Sequence, residues 1–214
     1  MKAASLRARV RAEMTDEIKA VARRHLSTDG ANLSLRAVAR DLGMASSAVY
    51  RYFASRDELL TALIIDAYGS LGDAAEAAPR EWLAVCHAIR EWALAHPHEW
   101  ALIYGSPVPG YRAPRDTVPA AARVILALAR IVAAAEVAEG EPVTGPLADE
   151  LQAVADGFAP GTAPQVVGRA MGAWLHCCGA ISAELFGQLQ DTVEARRDFF
   201  EFQMRGAARW VGLT

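Results

Sequence analysis

The chain has 214 residues, of which 53% are hydrophobic and 22% charged; that is enough apolar material for one large domain or a small domain joined to a larger one, and too much for disorder. The formal net charge of -3 excludes a uniformly basic surface. The charge is uneven, however: residues 1–60 hold 11 Lys/Arg against 7 Asp/Glu, and residues 61–214 hold 11 against 18, so any attraction to phosphate is confined to a basic head on an acidic body.

Cys86, Cys177 and Cys178 are odd in number and two are adjacent, so they build neither a disulfide framework nor a metal-ligand spacing. The basic N-terminus is not followed by an apolar run, and every apolar stretch of transmembrane length is broken by Arg, Glu or Gly. The expectation is a cytoplasmic protein with no membrane partner and no cofactor.

Alternating strand patterns are nearly absent, whereas helical spacing of apolar residues recurs throughout, which predicts an all-α fold. Breaks at Thr28–Asn32, Gly43, Ala54–Ser55, Pro79, Gly105–Pro119, Glu139–Pro146 and Gly157–Pro164 leave nine or ten helices.

The segment Ser34–Phe53, SLRAVARDLGMASSAVYRYF, has the spacing of two short helices joined by a tight turn. Ser34 is a good N-cap, and Val38 and Leu42 supply the inner face of the first helix. Ala39 is small where the helices meet, Gly43 suits a left-handed turn residue, and Val49 packs back on the first helix. With Val49 and Phe53 inward, Ser46, Ser47, Tyr50 and Arg51 face outward, as a helix seated in a major groove requires. Ser34, Arg36, Tyr50, Tyr52 and Arg56 are placed to hold phosphates, with Lys2, Arg7, Arg9 and Arg11 as a looser basic arm.

Leu33–Leu60, LSLRAVARDLGMASSAVYRYFASRDELL, resembles the DNA-binding domain of the tetracycline-repressor (TetR) family. The resemblance implies a three-helix DNA-binding head over residues 1–54 and a helical effector-binding and dimerisation domain over 55–214. The family's DNA contacts carry over to Ser34, Ser46, Ser47, Tyr50, Arg51, Tyr52 and Arg56. Ala45 stands where many relatives have Ser or Thr at the cap of the recognition helix, and Ser46 is expected to cap instead, starting that helix one residue later.

The fourth helix is expected to start at Ser55, with Ser55 and Glu58 as a capping box and Leu59, Leu60, Leu63 and Ala67 as its apolar face. It runs from head to body. The next helix carries Trp82, Cys86, Ile89 and Ala93 on one face, and the one after begins with Pro97 in its first turn and ends by Gly105. Four prolines between Gly105 and Pro119 require an irregular connection. From Ala120 to Val137 only Arg123 and Arg130 interrupt the apolar surface and are expected to mark its solvent side.

The segments Glu91–Tyr111 and Trp174–Leu189 resemble the WHG-type C-terminal subgroup of the same family. Relatives commonly carry His or Phe just before Gly179, where this chain has Cys178.

On the helix from Pro164 to Leu189, Gly168, Gly172, Leu175 and Gly179 form one stripe. Each glycine costs about 1 kcal/mol against Ala in a helix, and close packing across a twofold axis with Phe199, Phe202 and Trp210 of the last helix would offset it. Packing within the monomer is the alternative. A homodimer also suits operator DNA, because two recognition helices must sit about 34–36 Å apart, one turn of the duplex.

An apolar effector cavity is expected among Trp82, Cys86, Ile89, Trp100, Ile103, Tyr104, Met171 and Trp174, with Tyr111 near its mouth; solid core is the alternative. Cys177 and Cys178 lack a visible His–carboxylate partner, and His87, His96, His98 and His176 show no i, i+4 pair, so neither an enzyme nor a metal site is expected. The reading is a sequence-specific, ligand-responsive repressor of double-stranded operator DNA. A regulator that activates or needs no effector stays open. A non-specific architectural binder would need more positive charge than this head carries.

Overall fold

Helical spacing becomes helix almost everywhere. The computed structural model describes residues 2–29 and 33–213, the side chains of residues 2–5, 28 and 29 excepted, so the side chain of Lys2 and the break at residues 30–32 lie outside the described residues. Among the described residues there are ten α-helices and no strand: α1 (Lys2–Asp29), α2 (Leu35–Asp41), α3 (Ser46–Val49), α4 (Arg56–Ala77), α5 (Trp82–Ala95), α6 (Pro97–Tyr104), α7 (Val118–Ala134), α8 (Pro146–Phe158), α9 (Pro164–Leu185) and α10 (Arg196–Val211). The chain divides into two compact units, Met1–Ala67 with His98–Thr117, and Tyr68–Pro97 with Val118–Thr214. The division falls inside α4, and α6 with the proline-rich connection groups with the head.

The reason lies in the head's core. Ile18, Val21 and Leu26 of α1, Leu35, Val38 and Ala39 of α2, and Val49 and Phe53 pack with Leu59, Leu60 and Leu63 of α4, and Val108 joins the same cluster. Each of the fully buried leucines contributes about 1.5–3 kcal/mol, so the first turns of α4 cannot be detached from the head. Polar ties add to this. Asp66 on α4 accepts from Arg23 at 2.6 Å and pairs with Lys19 at 2.9 Å, while Arg23 also reaches Glu99 on α6 at 3.2 Å. Burial alone would lower the pKa of Lys19, but hydrogen bonds to Asp66 and Asp16 outweigh it and leave the value raised.

The start of α4 keeps one half of the expected capping box. Ser55 is the cap rather than the first helical residue: its Oγ accepts from the Glu58 N–H at 3.1 Å. The return bond goes past it, since the Glu58 carboxylate accepts from the Ala54 N–H.

In the second unit, Arg90 of α5 donates through Nε and Nη2 to the two carboxylate oxygens of Glu184 on α9, at 2.8 and 2.6 Å, with its guanidinium 5.7 Å from the Phe200 ring centre. Both side chains are buried. Trp82 Nε1 donates to the Met204 carbonyl at 3.0 Å, which ties α5 to α10. The helix α7 starts at Val118, with Pro119 in its first turn where no N–H is needed. Arg123 does not mark a solvent side: it donates to Asp73, to Glu76 and to the Gly69 carbonyl on α4, and its side chain occupies the space a Cβ at Gly72 would need. Only Arg130 of the pair is exposed. Arg115–Ala134 is long and apolar enough to cross a membrane by length and composition, yet it carries this ion-paired arginine opposite a buried face of Val124, Leu128 and Val132, the pattern of an amphipathic body helix.

Candidate nucleic-acid interface

The turn between α2 and α3 depends on one residue. Gly43 sits at φ +64°, a left-handed conformation that side chains with a Cβ adopt reluctantly, and the chain reverses there with the Met44 N–H donating to the Ala39 carbonyl at 2.9 Å. Val38, Ala39 and Val49 are fully buried and Phe53 nearly so, so both short helices are held from beneath by apolar packing. What remains on α3 and the turn after it is forced outward. Ser46, Ser47 and Arg51 are exposed, and Tyr50 is 46% exposed.

The helix is shorter than its pattern suggests. Ser46–Val49 is α-helical and the chain then tightens, with Arg51 N–H bonding to the Ala48 carbonyl and Tyr52 N–H to that of Val49. The expected cap is corrected: Ala45 holds the cap position, Ser46 is the first helical residue, and neither makes a side-chain cap bond. The extended backbone of Ala45, φ -62° and ψ 137°, enters the helix without needing a hydroxyl, so the Ser46 side chain is left at the surface. Ser34 occupies the cap position of α2, also without a side-chain cap bond.

The expected phosphate-facing residues split into two groups. Ser34, Arg36 and Tyr50 are exposed. Tyr52 and Arg56 are half-buried and already engaged: Tyr52 packs on the head's core, and Arg56 Nε donates to the Leu33 carbonyl at 3.2 Å. Arg11 is not part of a loose arm. It lies on α1, donates to the Arg51 carbonyl at 2.9 Å and stands 5.1 Å over the Tyr52 ring. The end of the recognition segment is therefore buttressed by α1, a role for Arg11 that no local pattern in residues 34–56 could have signalled.

The residues singled out for an effector are divided between the two units. Trp100, Ile103, Tyr104 and Tyr111 belong to the head unit, where Trp100 is fully buried against Tyr104 and the Tyr111 hydroxyl lies 2.9 Å from that of Thr61. Trp82, Cys86 and Ile89 are buried on α5 in the other unit. Met171 and Trp174 line a cavity of about 70 Å³ between α7, α8 and α9, with Leu128, Val132, Val154 and Phe158. The sequence pattern of α8 offered no hint of this wall.

The stripe on α9 is used in part within the chain. A Cβ at Gly168 would meet Leu151, and one at Gly172 would meet the Trp210 ring, whereas Gly179 has nothing within 4 Å. Leu175, Phe202 and Trp210 are 67%, 69% and 55% exposed; Phe199 is half-buried. Among the described residues no three His, Cys, Asp or Glu side chains gather as a metal site would require.

Comparison with known proteins bears on both units. Residues 18–63 match the family described as bacterial regulatory proteins, tetR family, and residues 82–207 match the tetracyclin repressor-like C-terminal domain. The chain is 42% identical over 195 residues to the HTH-type transcriptional regulator Rv1816 of Mycobacterium tuberculosis, covering 83% of each. It is similar to the same extent to the HTH-type transcriptional regulator Mb1846 of Mycobacterium bovis. Among solved structures, the crystal structure of SCO4313 superposes with a TM-score of 0.81 at 36% identity, over 94% of this chain and 97% of that one.

Proposed function

Since this chain belongs to the TetR family of DNA-binding transcriptional regulators, a family of non-enzymatic proteins, we propose that it is a cytoplasmic, ligand-responsive repressor that binds a palindromic operator as a homodimer. The observation that carries the reading is the two-sidedness of α3 and the turn that follows it: Val49 is fully buried while Ser46, Ser47, Tyr50 and Arg51 stand outside. Short hydroxyls, a phenol and a guanidinium on one exposed face reach base edges and phosphates in a major groove. Ser34 and Arg36 flank that face and hold the backbone, while Tyr52 and Arg56 act by fixing the segment.

A homodimer is supported by the side chains that α9 and α10 leave outside: Leu175, Phe202 and Trp210 remain exposed, and the space beside Gly179 is open. Large exposed apolar side chains on two packed helices, together with small residues, suit a four-helix seam about a twofold axis.

The effector is a small, largely apolar molecule held by Met171 and Trp174 in the cavity under α8. At about 70 Å³ the cavity falls well below the roughly 300–1,000 Å³ of ordinary ligand pockets, so a ligand must enlarge it, and the half-exposed Met171 and Phe158 are the side chains free to move. Because α4 contributes residues to both units, a shift of α4 carries the ligand's effect to the heads and disfavours the operator-spanning state. The WHG-type assignment of the body rests on the residues around Trp174–Gly179.

Selection of bound fragments from random DNA by the purified protein tests the reading. The expected result is an enriched palindrome whose half-sites lie about one duplex turn apart; enrichment of no sequence overturns it.

A further inference from the structure

The second unit carries nine arginines, and six of them are bonded to a carboxylate or a backbone carbonyl: Arg90, Arg123, Arg169, Arg196, Arg197 and Arg205. The other three, Arg80, Arg130 and Arg209, make no hydrogen bond or ion pair among the described residues, and all three line one open cleft of about 1420 Å³. They come from three different elements: the segment before α5, the last turns of α7, and the last turn of α10. Glu81 and Glu136 line the same cleft and neither comes within ion-pair distance of these arginines. The body as a whole is acidic, with 18 Asp/Glu against 11 Lys/Arg over residues 61–214, so three guanidinium groups in one depression, none bonded to a carboxylate, run against the local trend, although the Arg130 charge does act on the Glu76 carboxyl.

Arg205 also lines the cleft, paired with Glu201 at 2.6 Å, and the remaining lining side chains are apolar. Leu83, Ile131 and Leu213 are half-buried there, beside Ala134 and the edge of Trp82. A guanidinium fork matches a phosphate or carboxylate in a bidentate fashion and is more weakly hydrated than an ammonium, and an aliphatic wall within reach of it offers a second, non-ionic component of binding.

We propose that this cleft binds an anionic amphiphile, a phosphate or carboxylate head on an alkyl chain, with Arg80, Arg130 and Arg209 holding the head and Leu83, Ile131 and Leu213 covering the chain. The site shares no residue with the cavity lined by Met171 and Trp174, so it is a second ligand site, independent of the effector reading.

Isothermal titration of the full chain with decyl phosphate below its micellar concentration tests this, alongside inorganic phosphate, an uncharged decyl glycoside and an acidic hexapeptide. The expected result is saturable binding of decyl phosphate, at least tenfold weaker binding of each of the other three, and at least a tenfold loss in the triple variant Arg80→Ala/Arg130→Ala/Arg209→Ala. All three side chains are exposed, and circular dichroism should report unchanged helix content. Arg197→Ala, which breaks only the pair with Glu91, should leave the affinity unchanged. No binding of decyl phosphate, or binding that survives the triple substitution, overturns the proposal. Equal affinity for inorganic phosphate or for the glycoside removes the need for a tail or for a charge and overturns it as well, and equal affinity for the hexapeptide reassigns the cleft to a protein partner.

Discussion

The indole of Trp210 lies across Gly172, so close that a Cβ built on that glycine would meet the ring at 2.5 Å. The glycine thus brings α10 against α9 inside one chain, two helices that also carry the exposed Leu175 and Phe202. Gly172→Ala gains about 1 kcal/mol of helix propensity but forces the ring away at a cost of about 1–3 kcal/mol. The expected outcome is no gain in stability and as much as about 2 kcal/mol of loss, read from the urea midpoint, with a shifted tryptophan emission.

Phe202 is 69% exposed in the single chain, so Phe202→Glu should leave the fold of that chain intact. If α9 and α10 form the twofold seam, the variant places a carboxylate and its symmetry mate in an apolar interface. Sedimentation equilibrium should then show monomer at concentrations where the parent is dimeric. Operator affinity should fall by at least about tenfold with the loss of one of two half-site contacts; an unchanged mass distribution rejects the seam.

Arg51→Ala and Tyr50→Ala should each weaken binding to the selected operator by about 1–3 kcal/mol, whereas Arg36→Ala should weaken specific and random duplexes alike and reduce the salt slope by about one. Fluorescence anisotropy over a salt series separates these effects. Arg11→Ala should resemble Arg51→Ala in affinity although Arg11 reaches α3 only through the Arg51 carbonyl and the Tyr52 ring.

The Arg90–Glu184 pair is buried on both sides. Removing one partner strands the other charge, so Glu184→Leu or Arg90→Met alone should cost about 3–5 kcal/mol in chemical denaturation. The double variant Arg90→Met/Glu184→Leu should recover most of that loss, since two apolar side chains of similar volume leave no charge to desolvate.

Burial, followed by the neighbouring Cys177 sulfur, pushes the Cys178 thiol well above its ordinary value, and Cys86 and Cys177 are fully buried. Native protein at pH 8 should react with a thiol reagent far more slowly than free cysteine, and all three thiols should react at once in urea. An acid whose folded pKa is raised adds stability that is complete below its unfolded value and is lost as pH rises past it. The urea midpoint should therefore fall between about pH 8.5, the ordinary cysteine value, and pH 10, with a shallower fall in Cys178→Ala.

The all-α class, the helix–turn–helix spacing from Ser34 to Phe53 and the family resemblance were legible in the chain because they are local: a 3.6-residue period, a glycine at a turn, and a serine or proline at a helix start each act within a few residues. The inward face of Leu59, Leu60, Leu63 and Ala67 was legible for the same reason. What only tertiary structure decided were the meetings between residues far apart in sequence. Periodicity says that Arg123 interrupts an apolar surface, but not that Asp73, Glu76 and the Gly69 carbonyl wait opposite it. It says that Trp82, Trp100, Met171 and Trp174 are apolar and spaced for burial, but not which share a cavity. Burial of a side chain depends on its own helix, whereas the partner it is buried against depends on how the whole chain packs. The proposed effector site, anion site and dimer seam all depend on packing of that second kind.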